Sequence, residues 1–304
     1  MSLRSFLLVT SLIASLAQAE SYVLPPEDTN LIGQVLSVRA DHEDTLSDLA
    51  RRHGLGFDQI TQANPKVDPW LPGSGTTVVL PKRYVLPDAP REGVVLNLPE
   101  MRLYYFPKPA KGEAPKVITY PVSIGRLDWR TPLGLTRVAS KVTDPTWTPP
   151  ESIKKEHAAK GDILPDVVPA GPDNPLGQYA LRLGVSGYLI HGTDKPWGIG
   201  MRVTHGCIRM YPENIEALYK EVVVGTPVRL LDQPYKAGWL AGTLYLEAYP
   251  ALEESEPAAN DPSAVINVLA KAVEGRRYRV DKEAIRKVVT EKRGIPLPVG
   301  GEIP

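Results

Sequence analysis

The chain has 304 residues, 42% of them hydrophobic, with 35 basic side chains against 35 acidic ones and a single cysteine. One thiol excludes a disulfide framework and structural zinc sites built on two or more cysteines, and zero net charge without a basic run excludes the electrostatic footprint of a nucleic-acid binder. The length suits two domains, or one large domain with an appendage, and 31 prolines, roughly twice the usual share, foretell many loops and turns.

Residues 1–19 read as a secretory signal peptide: Arg4, an apolar stretch from Phe6 to Leu16, then the small-x-small sequence Ala17-Gln18-Ala19, with cleavage after Ala19. Thr10, Ser11 and Ser15 interrupt a stretch already shorter than the roughly 20 apolar residues of a membrane span. The reading predicts an exported, soluble protein in a compartment where thiols tend to oxidise.

Residues 35–81 carry a strand-helix-helix-strand pattern. An apolar strand at Val35-Leu36-Ser37-Val38 leads to a helix starting at Asp44-Thr45-Leu46, with Gly54 as its stop. A second helix runs from Phe57 to Ala63, ends at Asn64-Pro65, and is followed by the strand Thr77-Val78-Val79-Leu80. Asp44-Thr45-Leu46 and Ala63-Asn64-Pro65 resemble the LysM module, a small βααβ glycan-binding domain, although Glu43 stands where that family usually has glycine. The alternative is a packing appendage of the larger domain. Residues 82–92, with Pro87 and Pro90, read as a stiff linker.

Residues 93–231 follow as a mainly β domain. Its strand candidates are Val94–Leu98, Arg102–Phe106, Val117–Tyr120 and Tyr188–His191, and no long helical periodicity shows between Asn97 and Arg182. One main helix starts at Pro212, with Ile215, Leu218 and Val222 on one face, and a strand returns over Thr226–Leu231. Residues 232–304 form a short helical extension, with helices near 261–274 and 281–292 and an extended end at Gly294–Pro298.

Two of the five histidines lie within 16 residues of the only cysteine, in His191-Gly192-Thr193 and Thr204-His205-Gly206-Cys207-Ile208-Arg209. A thiol becomes a strong nucleophile when an imidazole takes its proton, and backbone N–H groups at the nucleophile's turn can hold an oxyanion. His191 ends a strand, which holds a base more rigidly than a loop does. The alternatives are an inert buried thiol, structural histidines, or a His/His/Cys metal site. Against the first stands the position of an odd thiol in an exported protein.

These residues resemble the L,D-transpeptidase (YkuD-type) family, whose signature is a histidine followed after such a spacer by Ser/Thr-His-Gly-Cys. Supporting blocks are Pro121–Arg126, Thr131-Pro132-Leu133-Gly134, Pro145–Pro150 and Asn174-Pro175-Leu176-Gly177. With the LysM module and the extension, the architecture resembles the periplasmic branch of that family, and a β-sandwich-like catalytic fold is implied. The resemblance implies Cys207 as nucleophile, His191 as general base and later acid, and the Gly192 carbonyl orienting the imidazole. It implies an oxyanion hole from the amides of Gly206 and Cys207. Arg209 is the candidate partner of a stem-peptide carboxylate; His205, Thr204, Tyr188 and Trp197 are further substrate-binding candidates, with Trp197, Gly198 and Met201 on the acceptor side. No cofactor or metal is implied. The donor is a peptidoglycan tetrapeptide stem, attacked at its diaminopimelate carbonyl with release of D-alanine. The acceptor is the C-terminal lysine of an outer-membrane lipoprotein, a neighbouring stem (3→3 cross-linking) or water, the first being favoured. Glycan binding falls to the LysM module. The competing readings are a non-catalytic wall-binding protein and a papain-like peptidase, which would place its cysteine before its histidine. Acylation is expected to fall on acidification through the imidazole range.

Overall fold

The computed structural model describes residues 20–303; the expected signal peptide lies outside the described residues. The N-terminal unit forms as βααβ. Strands Leu31–Arg39 and Thr77–Val85 pair antiparallel along their whole length. Helices Leu46–Arg52 and Phe57–Ala63 lie between them in sequence. Thr45 caps the first helix, its side chain accepting from the amide of Asp48 while the Asp48 carboxylate takes the Thr45 amide, so both orphan donors are satisfied. Leu46, Leu49, Leu55, Ile60, Val78 and Leu80 make a small core. Asn64 explains the Asn-Pro helix end: its buried amide donates to the carbonyls of Ile60 and Val79 and accepts from the Val79 amide, each at 2.8 Å.

The linker expected at 82–92 is corrected. Its first residues continue the closing strand to Val85, and Tyr84 and Leu86 are buried with Val95, Tyr104 and Val117 of the next unit. The two prolines obscured this apolar run, and Pro81 itself sits in a two-stranded ribbon, where proline is tolerated.

The central unit is built on a nine-stranded sheet. Its strands run in the order Glu20–Val23, Lys116–Pro121, Arg102–Phe106, Gly93–Asn97, Pro227–Leu231, Gly134–Thr143, Tyr179–Leu183, Leu189–His191, Ile208–Arg209. The long strand Gly134–Thr143 pairs with Pro227–Leu231 over its first half and with Tyr179–Leu183 over its second, with a register shift between Val138 and Ser140. That irregularity bends the sheet around the core of Val94, Leu96, Leu103, Leu181, Ile190, Ile208 and Leu230. The helix Pro212–Glu221 covers this core with Ile215 and Leu218. The sequence missed one helix here, Glu151–Ala159, because only Ile153 of it is buried and it carries no apolar stripe.

The extension is also corrected. It is not merely helical: strands Tyr235–Leu240, Thr243–Ala248, Leu297–Glu302 and Tyr278–Val280 form a four-stranded antiparallel sheet. Helices Pro262–Ala272 and Lys282–Glu291 share one core with it, around Trp239, Leu244, Leu246, Val265 and Val288. The hairpin turns at Ala241-Gly242, both at positive φ, a conformation alanine seldom signals in sequence.

Buried charges join the units. Arg102, fully buried in the central sheet, donates to the Gly54 carbonyl at 3.0 Å and to Gln59 at 2.6 Å in the N-terminal unit. Lys236 of the extension pairs with Glu100 at 2.7 Å and Glu247 at 3.0 Å, and desolvation pushes the Glu247 carboxyl up to about 7.

Candidate active site

The parallel pairing of Leu189–His191 with Ile208–Arg209 sets Ile190 beside Ile208 and His191 beside Arg209, which brings the two halves of the His…Cys motif to one end of the sheet. His191 is 4% exposed. Its Nδ1 lies 2.7 Å from the Gly192 carbonyl, so Nδ1 carries the proton and donates, and Nε2 is left as the basic nitrogen. Burial, reinforced by the positive charge of Arg209, pushes the imidazole down to about 3. Burial likewise pushes the Cys207 thiol up. Both effects disfavour charge, so the resting pair is neutral thiol and neutral imidazole. The acid limb expected in the ordinary imidazole range is thereby moved well below it.

The turn holding the thiol is tied at both carbonyls. Gly206 has φ +96°, and a Cβ there would stand 2.9 Å from the Tyr188 ring, so glycine is required twice over. The Thr131 hydroxyl donates to the Gly206 carbonyl at 2.8 Å and accepts from the Gly125 amide at 3.0 Å. The Thr204 hydroxyl donates to the Cys207 carbonyl at 2.6 Å. A trans peptide points its N–H opposite its C=O, so fixing the Gly206 carbonyl on Thr131 aims the Cys207 amide away from Thr131. Thr131 was visible only as part of a motif block, with nothing to mark its role. Thr204 is 1% exposed and serves the turn, which corrects its assignment to substrate contact.

Arg209 is held by its backbone, exchanging hydrogen bonds of 2.8 and 3.0 Å with Ser123. Its buried Nε has no partner, and desolvation lowers its affinity for a proton. A desolvated guanidinium with unused donors suits a carboxylate ligand. His205 instead faces protein: its Nε2 lies 3.1 Å from Glu156 and 3.3 Å from Arg126, and Trp129 packs edge-on at 5.2 Å. Arg126 also pairs with Glu156, so the helix Glu151–Ala159 is anchored to the motif by a side chain the sequence did not single out. Tyr188 reaches the Arg130 carbonyl at 3.3 Å. Trp197 stands 65% exposed on the turn Pro196–Gly198. Ser123 holds that turn, donating to the Gly198 carbonyl at 2.8 Å and accepting from the Gly200 amide at 3.1 Å. Among the described residues no three or more His, Cys, Asp or Glu side chains converge as a metal site requires.

A cysteine in the turn that leads into the strand Ile208–Arg209, and a tautomer-locked histidine at the end of the adjoining strand Leu189–His191, form the arrangement that cysteine acyl transfer requires. Residues 91–230 match the L,D-transpeptidase catalytic domain, YkuD. The chain is 39% identical over 291 residues to the probable L,D-transpeptidase YcfS of Escherichia coli K12, spanning 93% of this chain and 89% of that one. It is 39% identical over 289 residues to the probable L,D-transpeptidase YbiS of the same strain, with 93% of each covered. The probable L,D-transpeptidase ErfK/SrfK of Salmonella typhimurium is 38% identical over 301 residues, or 96% of this chain and 95% of that one. The chain belongs to the L,D-transpeptidase family and is a transpeptidase enzyme.

Proposed function

We propose that Cys207 and His191 carry the transpeptidation, acting on peptidoglycan tetrapeptide stems in the periplasm. The observation that supports the reading is the hydrogen bond from His191 Nδ1 to the Gly192 carbonyl, which leaves Nε2 as the basic nitrogen, able to take a proton from a thiol. The step begins as that proton passes to Nε2 and the sulfur attacks the carbonyl of the third stem residue, diaminopimelate. The Cys207 amide, aimed by the Thr131 tether, stabilises the oxyanion together with the Gly206 amide. The C–N bond to D-alanine breaks as the imidazolium returns the proton to the leaving amine. A thioester remains on Cys207. The acceptor amine then attacks, His191 takes its proton, and the thiol is restored. Arg209 pairs with a stem carboxylate, and the Tyr188 ring packs beside Gly206 at the turn that holds the thiol.

The acceptor we favour is the C-terminal lysine of an outer-membrane lipoprotein, on the strength of an architecture that couples a LysM-like unit and an extension to the catalytic domain. The LysM-like unit binds glycan and raises the effective concentration of stems. Among the described residues no helix is long and apolar enough to cross a membrane. Muropeptide mass spectrometry of cells with and without the protein tests the acceptor. Loss of lipoprotein-bearing muropeptides supports it, whereas loss of 3→3 cross-linked dimers or of trimmed tripeptides points to a neighbouring stem or to water.

A further inference from the structure

The N-terminal unit is built into the loop joining His191 to Cys207. The first amides of the helix Phe57–Ala63 cap that loop, Phe57 N–H donating to the Ile199 carbonyl at 2.9 Å and Asp58 N–H to the Gly200 carbonyl at 3.1 Å. Gly56 and Gly200 touch so closely that a Cβ on either meets the other's Cα within 2.7 Å. Ser47 donates to the Trp197 carbonyl at 3.2 Å, and Arg51 grips Glu213 through two bonds of 3.0 Å.

Two large indoles flank this junction, and both face water. Trp70 is 60% exposed, with Leu71 beside it at 74%, and Trp197 is 65% exposed. They are joined by two short bridges. Trp70 stacks at 5.5 Å on Phe57, whose amide binds Ile199, two residues beyond Trp197. Pro69 accepts from the Leu46 amide at 2.8 Å, and the adjoining Ser47 holds Trp197. Asp68 fixes the Trp70 loop by taking the amides of Trp70 and Leu71 at 2.8 and 3.0 Å, which leaves its Oδ1 occupied. The Trp70 ring is stacked on Phe57 and Trp197 is anchored through its backbone, and exposed indoles placed in this way mark an interaction surface rather than a core.

We propose that Trp70 and Trp197 form one aromatic platform, shared between the N-terminal unit and the loop joining His191 to Cys207, that stacks on sugar rings of the glycan strand carrying the donor stem. This rests on the donor chemistry proposed above. A stem acylated at its third residue leaves about 10 Å of extended peptide between Cys207 and the glycan. The strand is therefore held close to the loop joining His191 to Cys207, which carries Trp197. Trp197 is thus assigned to the donor's glycan and not to the acceptor amine.

The test compares two donors on the full mature chain: a free tetrapeptide, and the same tetrapeptide borne on a tetrasaccharide of alternating N-acetylglucosamine and N-acetylmuramic acid. The readout is the ratio of their kcat/KM values for D-alanine release. Both Trp70→Ala and Trp197→Ala are expected to lower the preference for the glycan-borne donor by roughly five- to ten-fold, the worth of one aromatic stacking contact. Ile266→Ala, an exposed apolar change on the extension, serves as control. An unchanged ratio in either tryptophan variant overturns the shared platform. A wild-type chain inert towards both donors would instead refute the donor chemistry itself.

Discussion

Replacing Thr131 by valine removes one hydroxyl and keeps the side chain's shape, so it isolates the tether on the Gly206 carbonyl. Two buried backbone groups lose their partner, the Gly206 carbonyl at 2.8 Å and the Gly125 amide at 3.0 Å. Each unsatisfied buried group costs about 1–3 kcal/mol, so global stability is expected to fall by about 2–4 kcal/mol once the turn relaxes. Relaxation rotates the Gly206–Cys207 peptide and with it the Cys207 amide. The loss of one oxyanion donor costs about 100- to 1,000-fold in rate. The assay is single-turnover acylation of Cys207 by a tetrapeptide stem, followed by intact-protein mass, alongside a urea unfolding curve. Thr131→Ser should restore most of both quantities because its hydroxyl can reach the same carbonyl. Valine and wild type acylating at equal rates, with only the unfolding midpoint lowered, would refute the role of this tether in aiming the oxyanion hole.

Acylation should be nearly level from about pH 5 to 8, because His191 is depressed to about 3 and the thiol is raised; a half-maximal rate near 6.5 would contradict the buried, neutral imidazole. The same depression stabilises the fold fully above the ordinary histidine value of 6.5, and that contribution declines as pH falls from there to about 3. His191→Gln should therefore flatten the acid limb of a stability-versus-pH curve measured by denaturant unfolding. Lys236→Met strands Glu100 and Glu247 in the interior and should cost about 3–5 kcal/mol. Desolvation already raises the Glu247 carboxyl and loss of Lys236 raises it further, so the stranded group takes up a proton more readily as pH falls; that cost should be smaller at pH 6 than at pH 8, and equal costs would contradict the buried cluster.

What could be read from the sequence was contiguous or periodic. Thr204-His205-Gly206-Cys207 and its upstream histidine are a local string, and the Thr45/Asp48 cap and the Asn64-Pro65 stop are signals within one turn of helix. What escaped depends on partners far along the chain. Thr131 meets Gly206 and Ser123 meets Gly198, each some 75 residues away. Glu156 lies on a helix with one buried side chain, and no pattern announces it. The supposed linker and the sheet of the extension were hidden by prolines and by a hairpin turn on alanine, where local punctuation outweighed a modest apolar alternation. Thr204, chosen for its place in the motif, turned out to hold the chain and not the substrate.

The proposed chemistry depends on acylation of Cys207 by a stem peptide with His191 as base. Incubating the mature protein with a tetrapeptide stem, quenching in acid and mapping the adduct by mass spectrometry tests it directly. The expected products are a tripeptidyl thioester on the peptide containing Cys207 and an equal amount of free D-alanine, with neither formed by Cys207→Ala. An unmodified thiol with no D-alanine released, or release that persists in Cys207→Ala, would contradict it.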